Sequence, residues 1–329
     1  MKAIVRYRYG SPDVLELRDI DTPIVNDDDV LVRVRSSSLN AADLDYLYGR
    51  PLFARIATGL LKPKNRGLGL DVAGQVEAVG RNVTRFRPGD SVFGDLTEHG
   101  YGAFAEYVSV PADALAPIPA GLSFEEAATV PQAAILALQG LGGFGRRIQP
   151  GHKVLINGAS GNVGPWAVQI AKSLGAEVTG VCSTSKMDLV RSIGADHVID
   201  YTREDFTRTG QRYDRILDVA AHRSIFDCRR ALRPKGVYVW VGGSAVALLQ
   251  ALLVGPLISM AGSRKMGITW WWKPFRKEDV AVLGELLEAG TIAPVIDRRY
   301  PLSEVSDALR YLDEGRARGK IVITLGAGS

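Results

Sequence analysis

Residues 157–164 read Asn-Gly-Ala-Ser-Gly-Asn-Val-Gly, placed between the apolar run Lys153–Ile156 and the helix-like stretch Pro165–Ala176. Small residues at a strand-to-helix junction suit a phosphate, because the unpaired N–H groups of a helix start and the helix dipole both favour an anion. In that frame Gly158 permits the tight turn, Gly161 lets the backbone approach a pyrophosphate, and Gly164 lets the helix pack on its strand. Ala159, Ser160, Asn162 and Val163 complete the cradle. A plain turn rich in small residues is the simpler alternative. The strand–helix–strand pattern on either side favours a dinucleotide site.

The end of the next strand discriminates between dinucleotides. An NAD site carries Asp or Glu there, about 20 residues on, to hold the adenosine ribose. Here the strand ends Gly-Val-Cys-Ser-Thr-Ser-Lys at residues 180–186, and Asp188 comes late enough to fall on the following helix. Ser183 and Thr184 offer hydroxyls and Lys186 a positive charge, a set suited to a phosphate on the ribose. Tyr201, after the third strand, is placed to stack on adenine or reach the same phosphate. These residues predict NADPH. The segment Val241–Gly243, after the fifth strand, is expected to offer its backbone to the nicotinamide carboxamide.

The elements that must position these residues fall into two textures. Residues 1–122 hold short β-like runs with Gly and Pro-Gly punctuation, the pattern of an irregular β domain. From about residue 123 strands alternate with helices, which predicts βαβ units and a parallel sheet of six strands, the last over residues 265–272. The fold class is thus α/β, a doubly wound sheet joined to a β-rich domain. The tail after residue 272 holds a helix (277–290) and a final strand.

Length and composition narrow the partners. The chain has 329 residues, enough for two domains. Its net charge of +4 is too small to argue for nucleic acid. The two cysteines, Cys182 and Cys228, cannot build a disulfide framework and predict a cytoplasmic, reducing setting. The amino terminus lacks the apolar core of a signal peptide. The apolar run 244–262 is broken by Gln250, Gly255 and Pro256 and is short for a span of roughly 20 residues. It predicts a buried or subunit-facing helix rather than an integral membrane segment. Peripheral membrane contact through it, together with the apolar and basic excursion 50–69, is the alternative.

In order along the chain, Ser36–Tyr46, Gly67–Gly94, Gly102–Val110, Phe124–Leu141, the phosphate loop, Arg191–Tyr201 and Gly319–Ile323 resemble the medium-chain dehydrogenase/reductases. Within them the chain resembles the zinc-free quinone oxidoreductase (zeta-crystallin-like) group. That resemblance implies a GroES-like catalytic domain from residues 1–122 completed by 273–329, a Rossmann domain at 123–272, and an active site in the cleft between them. Zinc-dependent relatives place ligands where this chain has Asn40, Leu70 and a residue near Gln139, and four scattered histidines offer no replacement. No metal is expected.

Without a metal, an activated carbon is the easier hydride acceptor, since a quinone or an enone carries its own electron sink. The protein then positions the reactants and hydrogen-bonds the developing oxyanion. The resemblance puts Asn40 beside the cofactor and marks Asp43 as a frequent acid of the motif; otherwise Asn40 is an ordinary helix cap. Tyr46 is the candidate proton donor, one step past the family's position, with Tyr48 as an alternative. Gln132 stands where relatives carry an apolar residue and Leu136 where many carry threonine. The expected activity is zinc-independent, NADPH-dependent reduction of lipophilic quinones or α,β-unsaturated carbonyls by a homodimer. A carbonyl reductase or alcohol dehydrogenase of the same fold, and a weakly active NADPH-binding interaction protein, are the alternatives.

Overall fold

The computed structural model describes residues 1–52, 55–268 and 273–326. The chain forms two compact units, one of residues 1–133, 274–288 and 296–329, the other of residues 134–273 and 289–295.

The first unit opens with an antiparallel pair, β1 (Lys2–Val5) and β2 (Glu16–Asp19). The long strand β3 (Asp29–Ser38) follows, its β-branched Val30, Val32 and Val34 all buried. Helix α1 (Ala41–Tyr48) stops at Gly49, which takes the left-handed conformation that closes helices (φ 67°). A helical turn α2 (Arg55–Thr58) precedes β4 (Asp71–Val79), β5 (Ser91–Asp95), β6 (Tyr107–Pro111) and β7 (Leu115–Pro117). Short α3 (Phe124–Ala128) starts on a reciprocal cap: Glu126 N–H donates to the Ser123 hydroxyl and Ser123 N–H to the Glu126 carboxylate. Helix α4 (Pro131–Gly142) carries the chain into the second unit.

There the alternation read from the sequence is realised as β8 (Lys153–Asn157), α5 (Gly164–Ser173), β9 (Glu177–Cys182), α6 (Met187–Ser192) and β10 (His197–Asp200). The second half is β11 (Tyr213–Asp218), α7 (Ile225–Ala231), β12 (Leu232–Trp240), α8 (Ala245–Ala261) and β13 (Lys265–Ile268). All six strands pair in parallel, in the order β10-β9-β8-β11-β12-β13. Numbered within the sheet this is 3-2-1-4-5-6, the doubly wound Rossmann order, whose direction reverses between its first and fourth strands. The expected sixth strand reaches Ile268; Trp270–Trp272, and Phe53 of the 50–69 excursion, lie outside the described residues.

The tail adds α9 (Lys277–Glu288), β14 (Ile296–Pro301), α10 (Val305–Asp313) and β15 (Lys320–Thr324) to the first unit. Its main sheet runs β14-β15-β3-β4-β5-β7, with β6 also on β3. Strand β15 lies antiparallel to β3, pairing Val322 with Ser38 and Thr324 with Ser36. Each unit has its own core, one around Val32, Phe104 and Leu309, the other around Leu155, Ile216 and Tyr238. Among the described residues no helix is long and apolar enough to cross a membrane.

Candidate active site

The three glycines of the phosphate loop differ in what holds them. Gly158 has φ 83°, a backbone that side chains rarely adopt. A Cβ on Gly164 would sit 2.2 Å from the Gly158 carbonyl oxygen and 2.5 Å from the Ala159 carbonyl carbon, so close packing forbids one. At Gly161 neither constraint applies: a Cβ would find only the Gly158 carbonyl oxygen, at 3.6 Å. The fold does not itself require glycine there, and the space a side chain would fill is open to a ligand. The loop fits a dinucleotide pyrophosphate. It lies at the reversal point of the sheet and leads into α5, where Pro165 falls in the first turn and loses no helix bond.

A buried network anchors the loop from below. Asn157, the last residue of β8, donates to the Asp218 carboxylate at the end of β11 (2.7 Å) and to the Ala220 carbonyl (3.0 Å). Tyr238 of β12 donates its hydroxyl to the same carboxylate at 3.0 Å. Burial pushes the Asp218 carboxyl up to about 6 against these bonds. Three strand ends are thus tied beneath the turn.

At the end of β9, Ser183 begins a turn of 3-10 helix that its carbonyl closes by accepting the Lys186 N–H at 3.0 Å. Tyr201 is 57% exposed, and its N–H binds the Cys182 carbonyl at 3.1 Å, which holds its backbone beside the β9 terminus. One residue was invisible along a single strand. Parallel pairing of β10 with β9 sets Asp200 beside Cys182, and the Thr184 hydroxyl donates to the Asp200 carboxylate. The Thr184 hydroxyl, expected to face a ribose phosphate, thus also has a partner inside the protein. Asp200 also accepts from the Thr202 N–H (2.9 Å) and hydroxyl (2.7 Å), and these hydroxyls lower its pKa. After β12, the Val241 and Gly242 N–H groups bind the Asp218 carbonyl at 2.9 and 3.3 Å, and the Gly242 carbonyl accepts from Ala221. What this turn offers a ligand is narrower than its three residues suggest.

The second constellation belongs to the first unit and centres on Asp71, the first residue of β4, which is fully buried. One of its oxygens accepts from the Ser38 hydroxyl (2.6 Å), the Asn40 side-chain amide (2.9 Å) and the Lys320 ammonium (3.2 Å); the other accepts from the Gln132 N–H (3.0 Å). Lys320, 1% exposed, also donates to the Asn40 side-chain oxygen (2.7 Å) and the Leu39 carbonyl (3.0 Å). Both ends of the Asn40 amide are thereby fixed, which also assigns its orientation. Burial pulls the Lys320 pKa below its ordinary value, with Asp71 pulling it back. The β15–β3 pairing brings Lys320 here from the far end of the chain. Its sequence signal was only the terminal Gly-Lys-Ile-Val-Ile run, with no role attached.

Asp43, in the first turn of α1, is fully buried and accepts the Asn40 N–H at 2.8 Å. Burial raises its carboxyl to about 8, against the pull of the Asn40 and Gly69 N–H groups. Tyr46 packs on Tyr101, with ring centroids 4.1 Å apart and planes at 48°. Burial and its hydrogen bond to Tyr46 push the Tyr101 hydroxyl upward. Tyr101 has φ 61° between two glycines that also have positive φ, Gly100 and Gly102. That Gly-Tyr-Gly turn is the signal the sequence offered for it. Tyr48 points elsewhere, its hydroxyl donating to Asp313 at 2.6 Å.

Zinc needs three or four Cys, His or carboxylate donors converging. Around Asp71 converge an amide and an ammonium, with Leu70 apolar beside them. No group of three or more His, Cys, Asp or Glu among the described residues could hold a metal. These residues do not fit a zinc ion.

The alcohol dehydrogenase GroES-like domain model matches residues 26–120, and the zinc-binding dehydrogenase model matches residues 193–323. The chain is 35% identical to 2-methylene-furan-3-one reductase of Solanum lycopersicum, over 98% of this chain and 79% of that one. It is 32% identical to the NADPH-dependent alkenal/one oxidoreductase of Arabidopsis thaliana chloroplasts, with the same two coverages. The solved quinone oxidoreductase of Coxiella burnetii superposes with a TM-score of 0.87 at 29% identity, covering 99% of each chain. The chain belongs to the medium-chain dehydrogenase/reductase superfamily, in its quinone oxidoreductase-like group, and is an oxidoreductase that uses a nicotinamide cofactor.

Proposed function

We propose that this enzyme is a zinc-independent, NADPH-dependent reductase of lipophilic quinones and α,β-unsaturated carbonyls. The Asn40–Asp71–Lys320 cluster carries the reading. Its donors suit no metal, so a substrate must disperse charge through its own conjugation. The relatives named for alkenal/one and furanone reduction support the same substrate class. Bound NADPH would supply the hydride.

The chain's own residues divide the remaining work. The turn Gly158–Gly164 holds the pyrophosphate, while Ser183, Lys186 and Tyr201 serve the adenosine end and Val241–Gly243 the carboxamide. Lys320 and Asp71 hold the Asn40 amide in one orientation, preorganised rather than recruited. Tyr46, paired with Tyr101, is the proton donor, and Asp43 stays neutral near pH 7 and pins the start of α1. Residues 1–122 with 273–329 form the catalytic part and 123–272 the cofactor part. The working unit is a cytoplasmic homodimer, a setting supported by two buried, free cysteines.

The test is NADPH oxidation measured across quinones, enones, simple ketones and aldehydes, with and without a chelator. Turnover of enones or quinones that ignores chelation is expected. Chelator-sensitive turnover of simple ketones alone would overturn the reading. For the cofactor, Lys186→Ala should weaken NADPH binding about tenfold or more, the scale of one charge-assisted bond, and leave NADH unchanged. Equal wild-type affinity for the two cofactors would refute the preference.

A further inference from the structure

The excursion between α1 and β4 takes no part in the phosphate turn or the Asp71 cluster. Residues 46–70 include no acid, while Arg50, Arg55, Lys62, Lys64 and Arg66 are basic. Within the excursion the chain closes a loop. The Lys64 N–H donates to the Thr58 carbonyl at 2.8 Å, and the Tyr9 hydroxyl donates to the Gly59 carbonyl at 2.8 Å. Gly59 has φ 119°, and a Cβ on it would come within 2.0 Å of the Lys62 carbonyl oxygen. The fold therefore builds this tip and holds it, and what it holds outward is apolar. Leu60 is 67% exposed and Leu61 89%, with Leu52 and Ile56 also exposed on the same excursion. Each such side chain forgoes a roughly tenfold to hundredfold gain that an apolar phase would give it.

Charge gathers next to the tip. Lys62, Pro63, Lys64 and Arg66 line an open hollow of about 290 Å³ together with Tyr7. The Arg66 guanidinium lies 4.9 Å from the centre of the Tyr7 ring, and the Arg6 N–H donates to the Arg66 carbonyl at 2.9 Å. Among the described residues, Lys62, Lys64 and Arg66 enter no ion pair. Cations without counter-charge, beside leucines held out into water, fit a partner that sets an anionic layer over an apolar one. A free phosphate or a nucleic-acid backbone would meet the cations and leave the leucines in water. A bilayer with anionic headgroups meets both, since basic residues sit at the level of the phosphates while leucines reach the acyl boundary.

We infer that the loop 59–64 and the hollow next to it form a docking surface for an anionic phospholipid bilayer. Leu60 and Leu61 enter the apolar phase, and Lys62, Lys64 and Arg66 meet the headgroup phosphates. The contact is with the membrane surface and needs no spanning segment. It sets where the enzyme sits and does not depend on which carbonyl compound it reduces.

Co-sedimentation of the full chain with vesicles reads the docking. Wild type should pellet with vesicles of mixed phosphatidylcholine and phosphatidylglycerol, and stay in solution with phosphatidylcholine alone. Leu60→Ser combined with Leu61→Ser should weaken binding by about tenfold or more. Lys62→Ala and Lys64→Ala should each weaken it about fivefold. All four side chains are exposed, so these changes should keep the fold, which circular dichroism checks. A second measurement reads insertion. Cys182 and Cys228 are buried, so Leu61→Cys takes a polarity-sensitive, thiol-reactive fluorophore selectively. Its emission should shift to the blue with the anionic vesicles only. Wild type that stays in solution with anionic vesicles, or that binds the neutral ones equally, would overturn the inference. So would a Leu60/Leu61 variant that binds like wild type, or an emission that does not shift. Release of the bound chain by millimolar inorganic phosphate at constant ionic strength would also overturn it, making the hollow a small-anion site.

Discussion

The phosphate turn and the Asp71 cluster bind their parts together in opposite ways. The turn is contiguous: eight successive residues supply its positive φ, its close packing and its open face, and the sheet only has to present it. The cluster draws on residues 38, 40, 71, 132 and 320, and no two of them need each other until β3, β4 and β15 lie side by side. The turn is consequently robust to everything but its own glycines. The cluster depends on a charge balance in the buried interior, where each buried group is compensated by a partner from another element.

The largest effect should come from breaking that balance. Lys320→Met leaves the Asp71 carboxylate buried without its counter-charge and should cost about 3–5 kcal/mol in urea unfolding. Lys320→Met combined with Asp71→Asn should recover most of the stability, since both charges are gone. If the single variant unfolds like wild type, the cluster is not held by charge.

The two glycines of the turn sharpen the other side of the comparison. Gly164→Val should destabilise by about 1–3 kcal/mol or more, because its side chain has to displace loop backbone. Gly161→Val should unfold within about 0.5 kcal/mol of wild type, the range of ordinary surface changes. It should nevertheless lose about tenfold or more in cofactor affinity by calorimetry, as its side chain enters the ligand's space. Equal stability losses at the two positions would break the distinction.

A further expected effect is a dependence on pH. The Asp43 carboxyl titrates at about 8 in the fold against an ordinary 3.8. Between those values the folded protein keeps a proton that the unfolded chain has released. Its contribution to stability is therefore full at low pH and declines as pH rises, being lost through about 8. Asp43→Asn cannot titrate, so the gap in melting temperature between variant and wild type should move in the variant's favour from pH 5 to pH 9. A constant gap would place the Asp43 carboxyl outside the protein's interior.

Much of the second unit was legible because its signals are local. Apolar β-branched runs, glycine-stopped helices and the small-residue turn each report on their own few residues, and strands β8 to β13 appear where those runs stand. Asp200 shows the limit of this. Read along β9, the ribose end has no acid; read across the sheet, the next strand sets one beside Thr184. The choice of Asn40 likewise rested on a motif, and nothing near it announced that its amide would be held by a lysine 280 residues away.

The sequence by itself determined the doubly wound sheet, the phosphate turn and the character of the residues at the ribose end, because backbone conformation and periodic burial are set by neighbours in the chain. Only the tertiary structure decided which buried charges neutralise one another, which hydroxyls have partners inside the protein, and that the loop 59–64 holds its leucines outward. Those outcomes depend on desolvation and pairing between distant elements, and such energies exist only once the chain has brought the groups together.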